Sequence, residues 1–219
     1  MHTFARKLAG TLDRLTLGKV PTHEQYRLPR GLTGFFIGGD MMKQHSPETL
    51  WTLSLMQLKP DSQVLEIGPG AGALLGSIAE KLTSGQVTGL DLSHSMVQMA
   101  WARNLRHVSR RRVNVLQGNA MSLPFKDQHF DEIVSVHSLY FWPDPEKVLS
   151  ECLRVLKPRG RLILTFMPRN RWPNEGQGAT CHVFSAEEVA ALMRKAGFSH
   201  TEVVPGEAHF RECAVIGAI

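Results

Sequence analysis

The 219-residue chain has only three cysteines, Cys152, Cys181 and Cys213, widely spaced and without a CxxC pair. That argues against a disulfide framework or a structural zinc site and suits a reducing cytoplasm. No apolar run approaches the roughly 20 residues needed to span a bilayer. Repeats, low-complexity tracts and interdomain linkers are lacking, so one domain with an accessory segment is expected. No cluster of acids and histidines suggests a metal site. Acidic residues are also missing between Asp91 and Asp127, a window that holds Arg103, Arg106, Arg110, Arg111, Arg112 and Lys126.

After Pro60, short β-rich runs alternate with helical stretches, the pattern of a parallel sheet built from βαβ units. Strands are expected at 63–67, 86–90, 113–117, 132–137 and 161–167, the last introduced by the turn KPRG (157–160). Helices are expected over Ala73–Leu82, from Ser93 toward Val108, and over Glu146–Leu156. Ser185 and Glu188 form a capping box for a helix that stops at Gly197. Two final β-rich runs, TEVVP and AVIGAI, are close enough to pair as a hairpin. Seven strands ending in an adjacent pair do not match a nicotinamide dehydrogenase, which builds a second mononucleotide half.

The main domain is expected over residues 46–219, its first helix opening at Ser46-Pro47-Glu48 and running through Leu58. Residues 1–45 form the accessory segment. Phe4, Leu8, Leu12 and Leu15 lie at helical spacing among basic residues. They read as a terminal helix packed on the domain, or alternatively as a membrane-surface or transit helix.

The strongest local signal is VLEIGPGAG, residues 64–72, where a buried strand runs into Gly68, Gly70 and Gly72 before a helix. Such a loop turns sharply and lets a ligand approach where any Cβ would collide. Glu66 precedes it, placed either to organise loop amides or to touch ligand. Asp91 ends the next strand, where a carboxylate can accept both ribose hydroxyls. Together they point to an adenosyl ligand.

Over residues 60–168 the chain resembles the class I S-adenosylmethionine-dependent methyltransferases, of the small type related to quinone biosynthesis. VLEIGPGAG resembles the first motif of that family and VTGLDLSHSM its second. QGNAMSLPFKDQHFDEIVS and VLSECLRVLKPRGRLIL resemble the regions that follow. The resemblance implies a Rossmann-like α/β fold: a seven-stranded, mostly parallel sheet with helices on both faces and an antiparallel C-terminal strand. It also implies that S-adenosyl-L-methionine is the cofactor, that Gly68, Gly70 and Gly72 bend around its methionine portion, and that Asp91 holds the ribose. Leu92 and Met96 are the expected apolar contacts to the nucleoside, although Met96 also fits simple helix packing. Asn119-Ala120 stands beside the adenine where the family more often has Asp-Ala.

Catalytic residues are poorly marked, because methyl transfer depends mainly on placing a nucleophile in line. The best place is the end of the fourth strand, VHSLYFWPDP, since ligands sit at the carboxyl ends of strands in open α/β sheets. His137 is the candidate base, or alternatively a pocket wall bonded to backbone; it is also a candidate cofactor contact. Tyr140 is the second catalytic candidate, with Phe141 and Trp142 shaping an acceptor pocket. The [Asn/Asp]-Pro-Pro-[aromatic] motif used on amide or adenine amino groups is absent. A small-molecule acceptor is expected, with residues 1–45 (including Tyr26, Phe35, Phe36, Met41 and Met42) and the loop 168–182 covering it. The arginines fall at the far end of the helix after the second strand, a solvated or docking face. RNA or protein methylation and a non-catalytic adenosyl-binding module are the rival readings, and the oligomeric state is open.

Overall fold

The computed structural model describes residues 29, 46–172, 181–206 and 212–219. In chain order the elements are α1 (Ser46–Leu55), β1 (Gln63–Ile67), α2 (Ala73–Lys81), β2 (Gln86–Asp91), α3 (His94–Arg103), α4 (Leu105–Ser109), β3 (Val113–Gln117), β4 (Phe130–Val136), α5 (Pro145–Val155), β5 (Leu156–Phe166), α6 (Ala186–Ala196), β6 (His200–Pro205) and β7 (Cys213–Ala218). The sheet order is β3-β2-β1-β4-β5-β7-β6. β1 to β5 are mutually parallel, and β7 lies antiparallel to both β5 and β6. The anticipated hairpin forms, with its second strand inserted between the first and the parallel sheet. Strand order reverses between β1 and β4, which opens a crevice at their carboxyl ends.

Apolar side chains divide between the two faces of the sheet, as burial on both sides requires. One cluster joins Leu149, Cys152 and Val155 of α5 with Val189 and Met193 of α6 over Leu65, Ile133 and Leu164. The other joins Leu74, Leu75 and Ile78 of α2 with Ala100 of α3 over Val64, Val134 and Ile163. The capping box of Ser185 with Glu188 is present, and Gly197 ends α6 in the left-handed region. Asp144 caps α5 through the Lys147 amide, with Pro145 in its first turn.

Most boundaries shift by one or two residues, and three larger differences have a clear physical cause. α1 stops at Leu55 instead of Leu58: the Gln57 amide donates to both oxygens of the buried Glu132 carboxylate, at 3.1 Å each. Arg161 neutralises that carboxylate at 3.0 Å. The helix expected from Ser93 to Val108 breaks at Asn104, whose buried amide donates to Gly72 O at 2.8 Å and Ala100 O at 2.9 Å. β5 begins at Leu156 and includes the KPRG segment, with an irregular register opposite Phe130 and Glu132 and Arg159 at φ 68°.

Candidate functional site

A cavity opens at the β1/β4 crevice, and the loop after β1 forms one wall. Gly68 donates to Leu90 O at 2.9 Å, which continues the β1/β2 ladder into the loop. The three loop glycines adopt φ of 71°, 51° and 76°, but their surroundings separate them. A Cβ on Gly72 would lie 2.8 Å from the Ala100 Cα and from the Asn104 amide nitrogen, so helix packing demands glycine there. A Cβ on Gly70 would meet nothing within 4 Å. Gly70 is therefore required by its left-handed backbone and by whatever approaches from the cavity.

Asp91 ties this loop to the next. One carboxylate oxygen accepts the Gly70 amide at 3.1 Å, and the other accepts the Ser93 amide at 2.8 Å. The loop-organising part thus falls to Asp91, whereas Glu66 is fully buried with Oε2 lacking a hydrogen-bond partner. Burial first, and then the Asp91 charge, push the Glu66 carboxyl up to about 8. Burial also raises the Asp91 pKa, with the two amides pulling the other way.

Other expected cofactor contacts line the same cavity. Leu92 is exposed at the rim, Met96 is buried in the facing side of α3, and Asn119 and Ala120 follow β3. The Asn119 side-chain oxygen accepts the Met121 amide at 2.9 Å, which leaves its amide donor and one oxygen lone pair for a ligand.

The far wall is built from buried polar contacts. His137 leaves β4 in the left-handed region, at φ 56°. Its Nδ1 lies 3.0 Å from the Tyr140 hydroxyl, and its Nε2 is buried 3.9 Å from Glu212 Oε1. Both ring nitrogens are turned to protein groups, the geometry of a fixed pocket wall. Tyr140 lies outside the cavity lining. Its oxygen accepts the Met167 amide at 2.5 Å, and burial holds its pKa far above the ordinary phenol value. Phe141 and Trp142 do line the cavity, together with Met121, Val136 and Val148.

A family profile described as a methyltransferase domain matches residues 65–164. The demethylmenaquinone methyltransferase of Lactococcus lactis subsp. lactis (strain IL1403) is 37% identical over 125 residues, which cover 55% of this chain and 48% of the relative. That of Bacillus cereus (strain B4264) is 36% identical over 116 residues, covering 51% and 47%. The chain therefore spans about half the length of the curated relatives it matches. Among solved structures, an S-adenosylmethionine-dependent methyltransferase from Aquifex aeolicus superposes with a TM-score of 0.68 at 25% identity, covering 78% of this chain and 89% of that one. The [4+2]-cyclase SpnF superposes with a TM-score of 0.62 at 27% identity, covering 72% and 58%.

Residues 65–164 of this chain form a methyltransferase domain of the class I type.

The methyltransferase domain contains residues in and around this cavity that the sequence did not flag. Ser138 fills the space beside Gly68, donating to Ile67 O at 3.3 Å and accepting the Trp142 indole N–H at 3.2 Å. Asn104 locks the glycine loop to α3, and its polar character at a core spacing after Ala100 was the available signal. Glu212 carried none, because it meets His137 only through the tertiary fold. The accessory segment, including Tyr26, Phe35, Phe36, Met41 and Met42, lies outside the described residues except for Pro29. Pro29 lines the cavity and its carbonyl accepts the Ser93 hydroxyl. In the 168–182 loop, 173–180 also lie outside the described residues.

The arginines gather at the opposite edge. The Arg111 and Arg112 carbonyls accept from the Gln86 side chain and the Val87 amide, at the start of β2. Arg106 pairs with Glu80 at 3.3 Å on the surface. Among the described residues no helix is long and apolar enough to cross a membrane, and no group of three or more His, Cys, Asp or Glu could hold a metal ion.

Proposed function

We propose that the domain transfers a methyl group from S-adenosylmethionine to an uncharged, apolar small molecule by in-line displacement. The observation that carries this reading is the mixed lining of one cavity. Glu66 and Asp91 bring carboxylates to it, and Met121, Val136, Phe141 and Val148 bring apolar surface. No lysine or arginine appears among the described lining residues, which disfavours a phosphorylated or carboxylated acceptor. The name of the demethylmenaquinone methyltransferase relatives supports an acceptor of the quinol class.

The residues present fit the cofactor. Glu66 supplies a buried carboxylate oxygen without a partner, as a cationic ligand requires. Gly70 leaves open space beside the loop. Each Asp91 oxygen keeps lone-pair capacity beyond its one backbone bond, sufficient for two ribose hydroxyls. Leu92 and Met96 would hold the nucleoside by apolar contact, and the Asn119 amide would serve the base. When bound, the cofactor supplies a methyl group activated on a sulfonium. Trp142, Phe141 and the His137 ring edge position the acceptor and exclude water. Orientation of this kind reaches effective molarities of ~10⁵–10⁸ M, so a dedicated base is not required.

We assign His137 and Tyr140 positioning roles in the acceptor wall, residues 1–45 a covering role anchored at Pro29, and the arginine face a docking or solvated role. Three free cysteines suit a cytoplasmic setting. The test is incubation with methyl-labelled S-adenosylmethionine and a cell extract. Label in metabolites or lipids supports the proposal, whereas label confined to RNA or protein overturns it. Deletion of residues 1–40 should raise the acceptor KM, and an unchanged KM removes the covering role.

A further inference from the structure

Two carboxylates face one cavity from neighbouring strand ends. Glu66 stands opposite Gly89 in the β1/β2 register, two positions before Asp91. Their surroundings differ in what they offer a negative charge. Asp91 has a backbone amide on each oxygen, and charge-assisted bonds of this type favour the ionised form. Glu66 has a buried oxygen with no donor at all. Two adjacent carboxylates in a poorly solvated site cannot both ionise without a counter-cation, so a proton is retained on the less well-bonded one.

We propose that Glu66 carries a proton in the ligand-free pocket and surrenders it to solvent when a cationic ligand enters, so that loading S-adenosylmethionine releases one proton. The carboxylic acid becomes a carboxylate, its O–H bond breaks, the proton leaves to water, and the ligand's positive charge compensates the new negative one. This rests on the cofactor reading above. The upward displacement of Glu66 to about 8 agrees with it and places the exchange in the neutral range.

The groups around Glu66 leave it the proton donor. From β2 comes Asp91, already bonded. Beyond β4 comes His137, whose nitrogens face Tyr140 and Glu212. α1 presents Thr49 to the cavity, with Glu48 next to it and outside the lining. α2 presents Ala73 and Leu74, and the loop after β3 presents Asn119, all uncharged. Among the described lining residues no cation competes for the Glu66 carboxylate.

Two measurements test the coupling. The first is titration calorimetry of S-adenosylmethionine into the protein at pH 6.5, in phosphate and in Tris. At that pH the ligand's own α-amino group, with an ordinary pKa of ~7.7–8.0, is already charged. The dependence of the heat on buffer ionisation should give close to one proton released per site. Glu66→Gln, checked for folding by circular dichroism, should release none. The second is the pH dependence of wild-type affinity, which should rise about tenfold per unit between pH 6 and 7. Binding whose heat is the same in both buffers and whose affinity is flat with pH overturns the coupling while leaving the cofactor reading intact. A full proton still released by Glu66→Gln overturns its assignment to Glu66. Absence of binding at any pH overturns the cofactor reading itself.

Discussion

The two walls of the cavity are made in different ways. The β1/β2 wall is backbone: three left-handed glycines, two amides directed at one carboxylate, and a helix that starts as soon as the turn is complete. The wall after β4 is side chain: His137, Phe141 and Trp142, with the His137 ring held by Tyr140 and by Glu212 from a distant segment of the chain. A backbone wall presents the same surface whatever surrounds it, and so suits a ligand common to many enzymes. A side-chain wall can be rebuilt one residue at a time, and so suits the variable partner. Both walls meet at Gly68, whose absent Cβ leaves room for Ser138.

The contrast can be broken most forcefully at the glycines. Gly72→Ala should cost about 3 kcal/mol of stability, combining left-handed strain with overpacking against α3. Gly70→Ala should cost only about 1 kcal/mol in urea titrations but weaken S-adenosylhomocysteine binding. Equal stability losses at both positions would contradict the distinction drawn between them.

Glu66 gives the next largest effect. Its folded pKa is raised from 4.5 to about 8, so the stability tied to its protonated form is present below pH 4.5 and is lost as pH rises through 8. The ligand-free wild type should therefore lose up to ~1.4 kcal/mol per pH unit across that window relative to Glu66→Gln. Melting temperatures of both proteins, measured from pH 5 to 8.5, should converge at the acid end and diverge toward the alkaline end.

Asp91→Ala removes charge-assisted bonds of ~1.5–3 kcal/mol and should weaken S-adenosylhomocysteine binding roughly ten- to a hundredfold by calorimetry. On the opposite wall, Tyr140→Phe leaves the Met167 amide without its acceptor and should cost ~1–3 kcal/mol of stability. Cofactor affinity should stay unchanged in that variant; a loss matching Asp91→Ala would show that the walls are not independent. Smallest of all, replacing Arg103 and Arg110 by alanine should alter stability by less than about 0.5 kcal/mol and leave turnover as it was. A large loss of turnover would turn the basic face into part of the acceptor site.

The same contrast explains what the sequence disclosed. The sheet, the glycine loop, Asp91 and the capping box were legible because each depends on residues within a few positions of one another. β1 and β3 begin and end where their β-rich runs do. The break at Asn104 and the shortened α1 were not legible, since each follows from a tertiary partner, Gly72 in one case and Glu132 in the other. His137 was placed correctly at the strand end, but its ring orientation depends on Tyr140 and on Glu212, which no local pattern connects to it. The place of Asp91 at the end of β2 could be read; its hold on Gly70 required the fold.

The insertion of β7 between β5 and β6 has a consequence for how the molecule assembles. β6 is made before β7, yet it reaches the sheet only by pairing with β7. During synthesis the exposed edge of β5 must wait, unpaired, while α6 and β6 emerge. Folding is thus expected to proceed in two stages: an early nucleus of β1, β4 and β5 with the helices between them, then late docking of the β6/β7 hairpin as a unit. Because Glu212 arrives with that hairpin, the His137 side of the cavity would be the last part of the molecule to become rigid.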